Sequence, residues 1–215
     1  MTHYAFLLPN DADLGNMLEH LQQLGTPITG VYENGYSRYF DLEDPEGNGV
    51  EFAIDKAIES WHSNTQYDWK NEVSKEIDAA VVTDKAHGSY DGIPAGTTIG
   101  HAELQVADMD ASTNFYVHGL GFGINDVAGS DQEFLAAGDY HHHIGLELIE
   151  KHDVVVPQEN NYGLDYVNLL LPNQDGMDLI LDNLRSEEIE YSYNQDHQVL
   201  MVTDPNGIQL LLSLA

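Results

Sequence analysis

The stretch from His3 to Gly25, "HYAFLLPNDADLGNMLEHLQQLG", returns near the other end of the chain as Tyr166 to Glu188, "YVNLLLPNQDGMDLILDNLRSEE". Each copy passes from an apolar stretch through a Leu-Pro-Asn corner into a helical stripe. In the first, Tyr4, Phe6 and Leu8 alternate as a strand, while Leu14, Met17, Leu18, Leu21 and Leu24 recur at helical spacing until Gly25 stops the helix. Asn10 or Asp11 is the N-cap. In the second, Met177, Ile180, Leu181 and Leu184 form the equivalent stripe. Each copy then reaches a related turn, "DPEGNGVEF" at Asp44 and "DPNGIQLLL" at Asp204. The offset is 163 residues between Pro9 and Pro172 and 160 between Asp44 and Asp204, so one unit has been duplicated.

A third unit lies between them, "IGHAELQVADMDASTNFYVHGLGFGINDV" followed by "QEFLAAGDYHHHIGLELIE". Its first strand alternates Ala102, Leu104 and Val106 against His101, Glu103 and Gln105, and Asp108 caps a helix carrying Phe115 and Tyr116. Each unit reads as strand, helix and three strands. The expected class is therefore α+β with three βαβββ modules. Residues 1–56 form an unpaired module, 57–97 a connector, and 98–215 a complete two-module domain divided into 98–152 and 160–215. Trp61, Tyr67 and Trp69 are expected to pack a connector helix, and "GIPAGTTIG" marks a turn-rich domain entry.

With 37 acidic residues against 7 basic ones, the formal charge of -30 opposes phosphate backbones and anionic membranes. Neither nucleic acid nor membrane is an expected partner. The absence of cysteine excludes disulfides and thiolate metal sites. No apolar run approaches the ~18 residues of a membrane span, and the N-terminus lacks the basic and apolar regions of a signal peptide, so a cytoplasmic protein is expected.

Strand alternation sorts the polar residues by face. His3 lies opposite Tyr4 and Phe6, and Glu51 with Ala53 lies opposite Val50, Phe52 and Ile54. A histidine and a carboxylate on one concave face suit Fe(II), Mn, Ni or Zn. In "YHHHIGLELIE", from Tyr140 to Glu150, alternation puts His142 with Ile144, Leu146 and Leu148, and His141, His143 and Glu147 on the opposite face. The histidine run is then no single cluster. His20, His62, His87, His118, His152 and His197 have no special spacing and read as surface or core positions.

The three units, the "GHAELQVADMDASTNFYVHGLGF" entry and the "DPEGNGVE" turn resemble the vicinal-oxygen-chelate superfamily of glyoxalases, bleomycin-resistance proteins and extradiol dioxygenases. More narrowly, "HYAFLLPNDADL", "DPEGNGVEFAIDKAIESW", "IPAGTTIGHAELQVADMD" and "AGDYHHHIGLELI" are similar to bacterial two-domain catechol-2,3-dioxygenase-like proteins. Such proteins carry four units, and the resemblance implies that the first one precedes Met1. It also implies a catechol-like or other vicinal-oxygen small molecule as substrate, with Fe(II) as the expected metal and Ni, Zn or Mn as alternatives. Two histidines and one glutamate hold iron in the family, and His3 and Glu51 match the second histidine and the carboxylate. The other histidine is expected in the absent unit. Asn34 and Asp41 stand where the family carries an acid/base histidine and tyrosine, which Tyr36 or Tyr39 replaces only if the register differs.

The complete pair is expected to form a second cup with His101, His141 and His143, using Glu103 or Glu147 as carboxylate. There Tyr166 takes the place of His3, and Leu210 or Leu211 that of Glu51. The lone first unit must cover its open edge. Pairing across a two-fold homodimer would join two copies of His3 and Glu51 in a glyoxalase-I-like centre. A non-enzymatic protein binding a small planar ligand is the other reading.

Overall fold

The computed structural model describes residues 1–61, 74–128, 131–149 and 163–215; Tyr67, Trp69, His62 and His152 lie outside them. The first unit runs β1 (His3–Leu7), α1 (Asp11–Leu24), β2 (Gly30–Glu33), β3 (Ser37–Glu43) and β4 (Gly49–Asp55). The connector adds a short strand, β5 (Lys75–Glu76), and one helical turn, α2 (Ala80–Thr83). The second unit runs β6 (Thr98–Val106), α3 (Met109–Asn114, prolonged by a wider turn over Phe115–Gly119), β7 (Gly123–Ala128), β8 (Gln132–Ala136) and β9 (Ile144–Leu148). The third runs β10 (Val167–Leu171), α4 (Gln174–Ser186), β11 (Tyr191–Asn194), β12 (Val199–Thr203) and β13 (Gln209–Leu214).

The caps fall where short polar side chains meet the first apolar turn. Asn10, Asp108 and Asn173 each accept a hydrogen bond from the backbone N–H three residues on, at 3.0, 3.1 and 3.0 Å. Gly25 closes α1 in the left-handed conformation, with φ of 73°. Both Asp-Pro turns are wound on the aspartate: Asp44 Oδ1 accepts from the N–H of Glu46 and Asn48, and Asp204 Oδ1 from those of Asn206 and Ile208.

In every unit the first strand pairs in parallel with the last. Between units, β1 pairs antiparallel with β6, placing His3 opposite Glu103 and Tyr4 opposite Ala102. One sheet of nine strands results, in the order β5-β2-β3-β4-β1-β6-β9-β8-β7, while the third unit forms its own sheet, β10-β13-β12-β11. This corrects the expectation that the first unit is unpaired. Both edges of β1 are occupied, by β4 and β6, so the edge proposed for a two-fold contact between first units is closed within the chain.

Two cores hold this arrangement. Leu14, Met17 and Leu18 of α1 pack on Phe40, Val50, Phe52 and Ile54, with Val82 of α2 in the same cluster. Gly15 permits that approach, because a Cβ there would lie 2.7 Å from the backbone of Ala86. The α2 part of the connector thus packs with the first unit. The second core is common to units two and three: Leu104, Tyr116 and Leu146 pack with Met177, Leu184, Leu200 and Leu210. A buried polar tie between these units is the Tyr116 hydroxyl, which donates to Asp204 Oδ2 at 3.2 Å. Unit two therefore gives its apolar side to unit three and its polar side to unit one. Among the described residues no helix is long and apolar enough to cross a membrane.

Candidate metal centre

On β1, β4 and β6 the alternation that packs Tyr4 and buries Val50, Phe52, Ala102 and Leu104 turns His3, Glu51 and His101 to the opposite, concave face. The register does the rest. Glu51 sits beside Ala5 on the strand next to His3, and His101 lies two residues before Glu103, the cross-strand partner of His3. His3, Glu51 and His101 each present a ligand atom within 4.8 Å of the others. The two Nε2 atoms face one another at 2.9 Å, and His101 Nε2 stands 3.8 Å from Glu51 Oε1.

Behind this trio, Glu103 Oε2 lies 3.1 Å from His3 Nδ1 and its other oxygen accepts from Gln132 Nε2 at 3.2 Å. A proton on His3 Nδ1 then bonds to Glu103 and leaves the Nε2 lone pair facing His101. Carboxylates commonly orient metal-binding imidazoles in this way.

The electrostatics suit neutral imidazoles in a dry site. Burial pushes His3 down to about 4, against the pull of Glu147. Burial also drives His101 well below the usual histidine range, helped by neighbouring histidines. The carboxyls move the other way: Glu51 is raised well above its ordinary value by burial and by Asp41, Glu103 and Asp55, and burial lifts Glu103 to about 7 and Asp41 to about 6. A divalent cation fits this donor set. Two nitrogens bound to one metal at ~2.1 Å and at right angles stand ~3.0 Å apart, close to the spacing present here. The cation would also neutralise a buried carboxylate that nothing else in the trio balances.

A pH dependence follows for the metal-free protein. The raised carboxyls favour the fold in their protonated forms, so their contribution is present below about pH 4 and lost as pH rises through about 6 for Asp41 and about 7 for Glu103. The depressed histidines contribute only above about pH 6.5, the unfolded value, and lose that contribution as pH falls. Only above about pH 7.5, where unfolded histidines are already neutral, does the carboxyl loss stand alone. Thermal melting without metal is therefore expected to fall between about pH 7.5 and 9, and a saturating divalent cation should reduce or reverse that trend by binding ionised Glu51.

The trio borders a cavity of about 140 Å³. Tyr36, Tyr39, Asn34, Asp55, Tyr140, His141 and His142 contribute to its walls. His141 stacks on Tyr36 at 4.4 Å, sets Nε2 3.2 Å from Asp55 Oδ1 and Nδ1 2.9 Å from His142 Nδ1. Asn34 folds back to accept from the N–H of Tyr36 and Ser37, which makes it a turn lock as well as a wall.

Several sequence expectations change here. His101 and Glu103 join His3 and Glu51 in one site and are not part of a separate cup made with unit three. His142 lines the cavity and His143 does not; His143 instead accepts from the N–H of Ala137 at 3.3 Å. Alternation failed there because residues 139–143 form a bend ahead of β9, not strand. Glu147 accepts from the Thr2 hydroxyl at 2.6 Å and lies outside the cavity lining. Tyr166 is 51% exposed just before β10, in the separate sheet of the third unit. Leu211, not Leu210, is the register equivalent of Glu51 in that unit, while Leu210 is core. Tyr36 and Tyr39 both reach the cavity, whereas Asp41 pairs across the strands with Glu51 and is not among its walls. Asp55 and Tyr140 carried no earlier signal. They come together because the Tyr140 hydroxyl donates to Asp55 Oδ2 at 2.9 Å across 85 residues of chain.

The fold and this geometry can be set beside known proteins. The sequence profile of the Glyoxalase/Bleomycin resistance protein/Dioxygenase superfamily matches residues 98–212. A catechol-2,3-dioxygenase of Bacillus subtilis (strain 168) is 31% identical over 204 residues, covering 94% of this chain and 70% of that protein. The crystal structure of a putative dioxygenase from Bacillus subtilis subsp. subtilis str. 168 superposes with a TM-score of 0.63 at 13% identity, over 99% of this chain and 61% of that one, a likeness of fold. On the profile match, and on this level of identity across most of its length, the chain belongs to the glyoxalase, bleomycin resistance and dioxygenase superfamily.

Proposed function

We propose that His3, His101 and Glu51 hold a divalent metal, Fe(II) by preference, and that the protein cleaves catechol-like rings with dioxygen in the extradiol manner. One observation carries this over a four-ligand, glyoxalase-like centre. The two units are related so that His3 corresponds to His101 and Ala5 to Glu103, and the residue of β9 that corresponds to Glu51 is Gly145. The converging trio thus offers two histidines and one carboxylate, while Glu103 on the same face is turned to His3 Nδ1. That set leaves positions for two further ligands, as in non-heme iron oxygenases. Bound iron would supply the site at which a catechol and dioxygen meet. The dioxygenase relative supports the same chemistry.

The chain's own residues would do the rest. Glu103 keeps the His3 Nε2 lone pair pointed inward through the 3.1 Å contact with Nδ1. Ala5, Ala53 and Gly100 leave a low floor on which a flat ring can lie, and the stacked Tyr36 and His141 make an aromatic wall beside it. Asp55, bonded to His141 Nε2, sets the tautomer in which His141 Nδ1 can accept a proton. Tyr39, whose hydroxyl donates to Ser74 Oγ at 2.8 Å, borders the same space.

The direct test is oxygen uptake by protein loaded anaerobically with Fe(II) and then mixed with catechol in air-saturated buffer. The expected result is one dioxygen consumed per catechol and a ring-opened semialdehyde product. Glu51→Ala should lose metal and uptake together. Wild-type protein that retains Fe(II) yet consumes no dioxygen with any catechol would rule out this reading.

A further inference from the structure

We infer that the cavity selects catechols by the charge of their ring substituent, favouring a protonated amine over a neutral chain and a neutral chain over a carboxylate. This rests on the metal-centred reading above and concerns the opposite end of the same cavity. The cup face of β4 presents Glu51, Ala53 and Asp55 in succession, and all three border the cavity. Four strand residues span ~13 Å, so Asp55 stands one ring and a short side chain away from the metal donors. A catechol chelated beside Glu51 would lay its ring over Ala53 and direct its substituent at Asp55.

At that end Asp55 is the carboxylate of the lining, Glu51 and Glu103 standing at the metal end with His3 and His101. Among the described residues the lining contains no lysine or arginine. The nearby cations are drawn off elsewhere. Lys56 bonds Glu33 Oε1 at 2.8 Å and the carbonyl of Asn34, and Arg38 is held by Glu33 and Asp11. Asp55 receives the Tyr140 hydroxyl and lies against His141, which leaves lone pairs for one more donor. An ammonium group would complete the carboxylate's partners. A second carboxylate would meet like charge in a partly enclosed site, enough for about a tenfold discrimination.

The test uses three catechols of similar size: 3,4-dihydroxyphenethylamine, 4-ethylcatechol and 3,4-dihydroxyphenylacetate. Their affinities for Zn(II)-loaded protein, in which no turnover occurs, are read by calorimetry. The expected order is amine, ethyl, carboxylate, with at least about a tenfold spread between the extremes. Asp55→Asn should compress the spread to about threefold or less, while Asp55→Glu, which keeps the charge, should preserve it. Equal affinities, a preference for the carboxylate, or a spread unchanged in Asp55→Asn would each overturn the inference. Oxygen uptake is scored separately on Fe(II)-loaded protein. Binding in the expected order without dioxygen consumption sinks the ring-cleavage reading alone, and turnover without that order sinks the charge selection alone.

Discussion

Replacing His101 by alanine is expected to weaken retention of a divalent cation by at least about a hundredfold, measured as metal per chain after dialysis against a weak chelator. Changes to groups that merely orient a ligand already cost ~10- to 100-fold in metal affinity, so removing a ligand should cost no less. The matched control is His143→Ala. Both residues appear equally eligible in a two-unit cup built from residues 98–215, but only His101 presents its Nε2 to His3, at 2.9 Å. His143 is occupied by the N–H of Ala137 and borders no part of the cavity. The control should therefore bind metal like the wild type. Equal loss in both variants, or in neither, would contradict a centre shared by units one and two.

Leu104→Ala is expected to lower the free energy of unfolding by about 2–5 kcal/mol, read from the midpoint of a denaturant transition. Leu104 is fully buried at the middle of β6, where it joins the core common to units two and three. Its neighbours on the same strand, His101 and Glu103, face the other way. The truncation should thus weaken the joint packing of units two and three before it disturbs the donor geometry, and metal affinity below the transition should stay near that of the wild type. A variant as stable as the parent would mean that β6 does not bridge two layers.

Much of this was legible in the chain. The duplicated strand, Leu-Pro-Asn corner and helix marked the units, because helical and strand periodicities are local properties of the residues. The same alternation assigned His3, Glu51, His101 and Glu103 to the polar face of their strands, and that assignment holds in the structure. It failed at His142 and His143 for a local reason: the alternation was applied to residues 139–143, which bend before β9 begins. A turn obeys no two-residue period.

Which units share a sheet was beyond such reading. The first strands of all three units are alike in pattern, and backbone hydrogen bonds along a strand edge carry no side-chain signature, so β1 could be matched to β6 only when all the edges were placed together. The apolar side of unit two was claimed by unit three, leaving its edge to unit one. By itself the sequence determined three βαβββ units and the face on which His3, Glu51, His101 and Glu103 stand, since both depend on residues close together in the chain. Only the tertiary structure decided that His3, Glu51 and His101 form one centre with Asp55 at the far end of its cavity. That centre depends on strand pairing across nearly a hundred residues, and the competition among edges that selects it is settled by the packing of the whole chain.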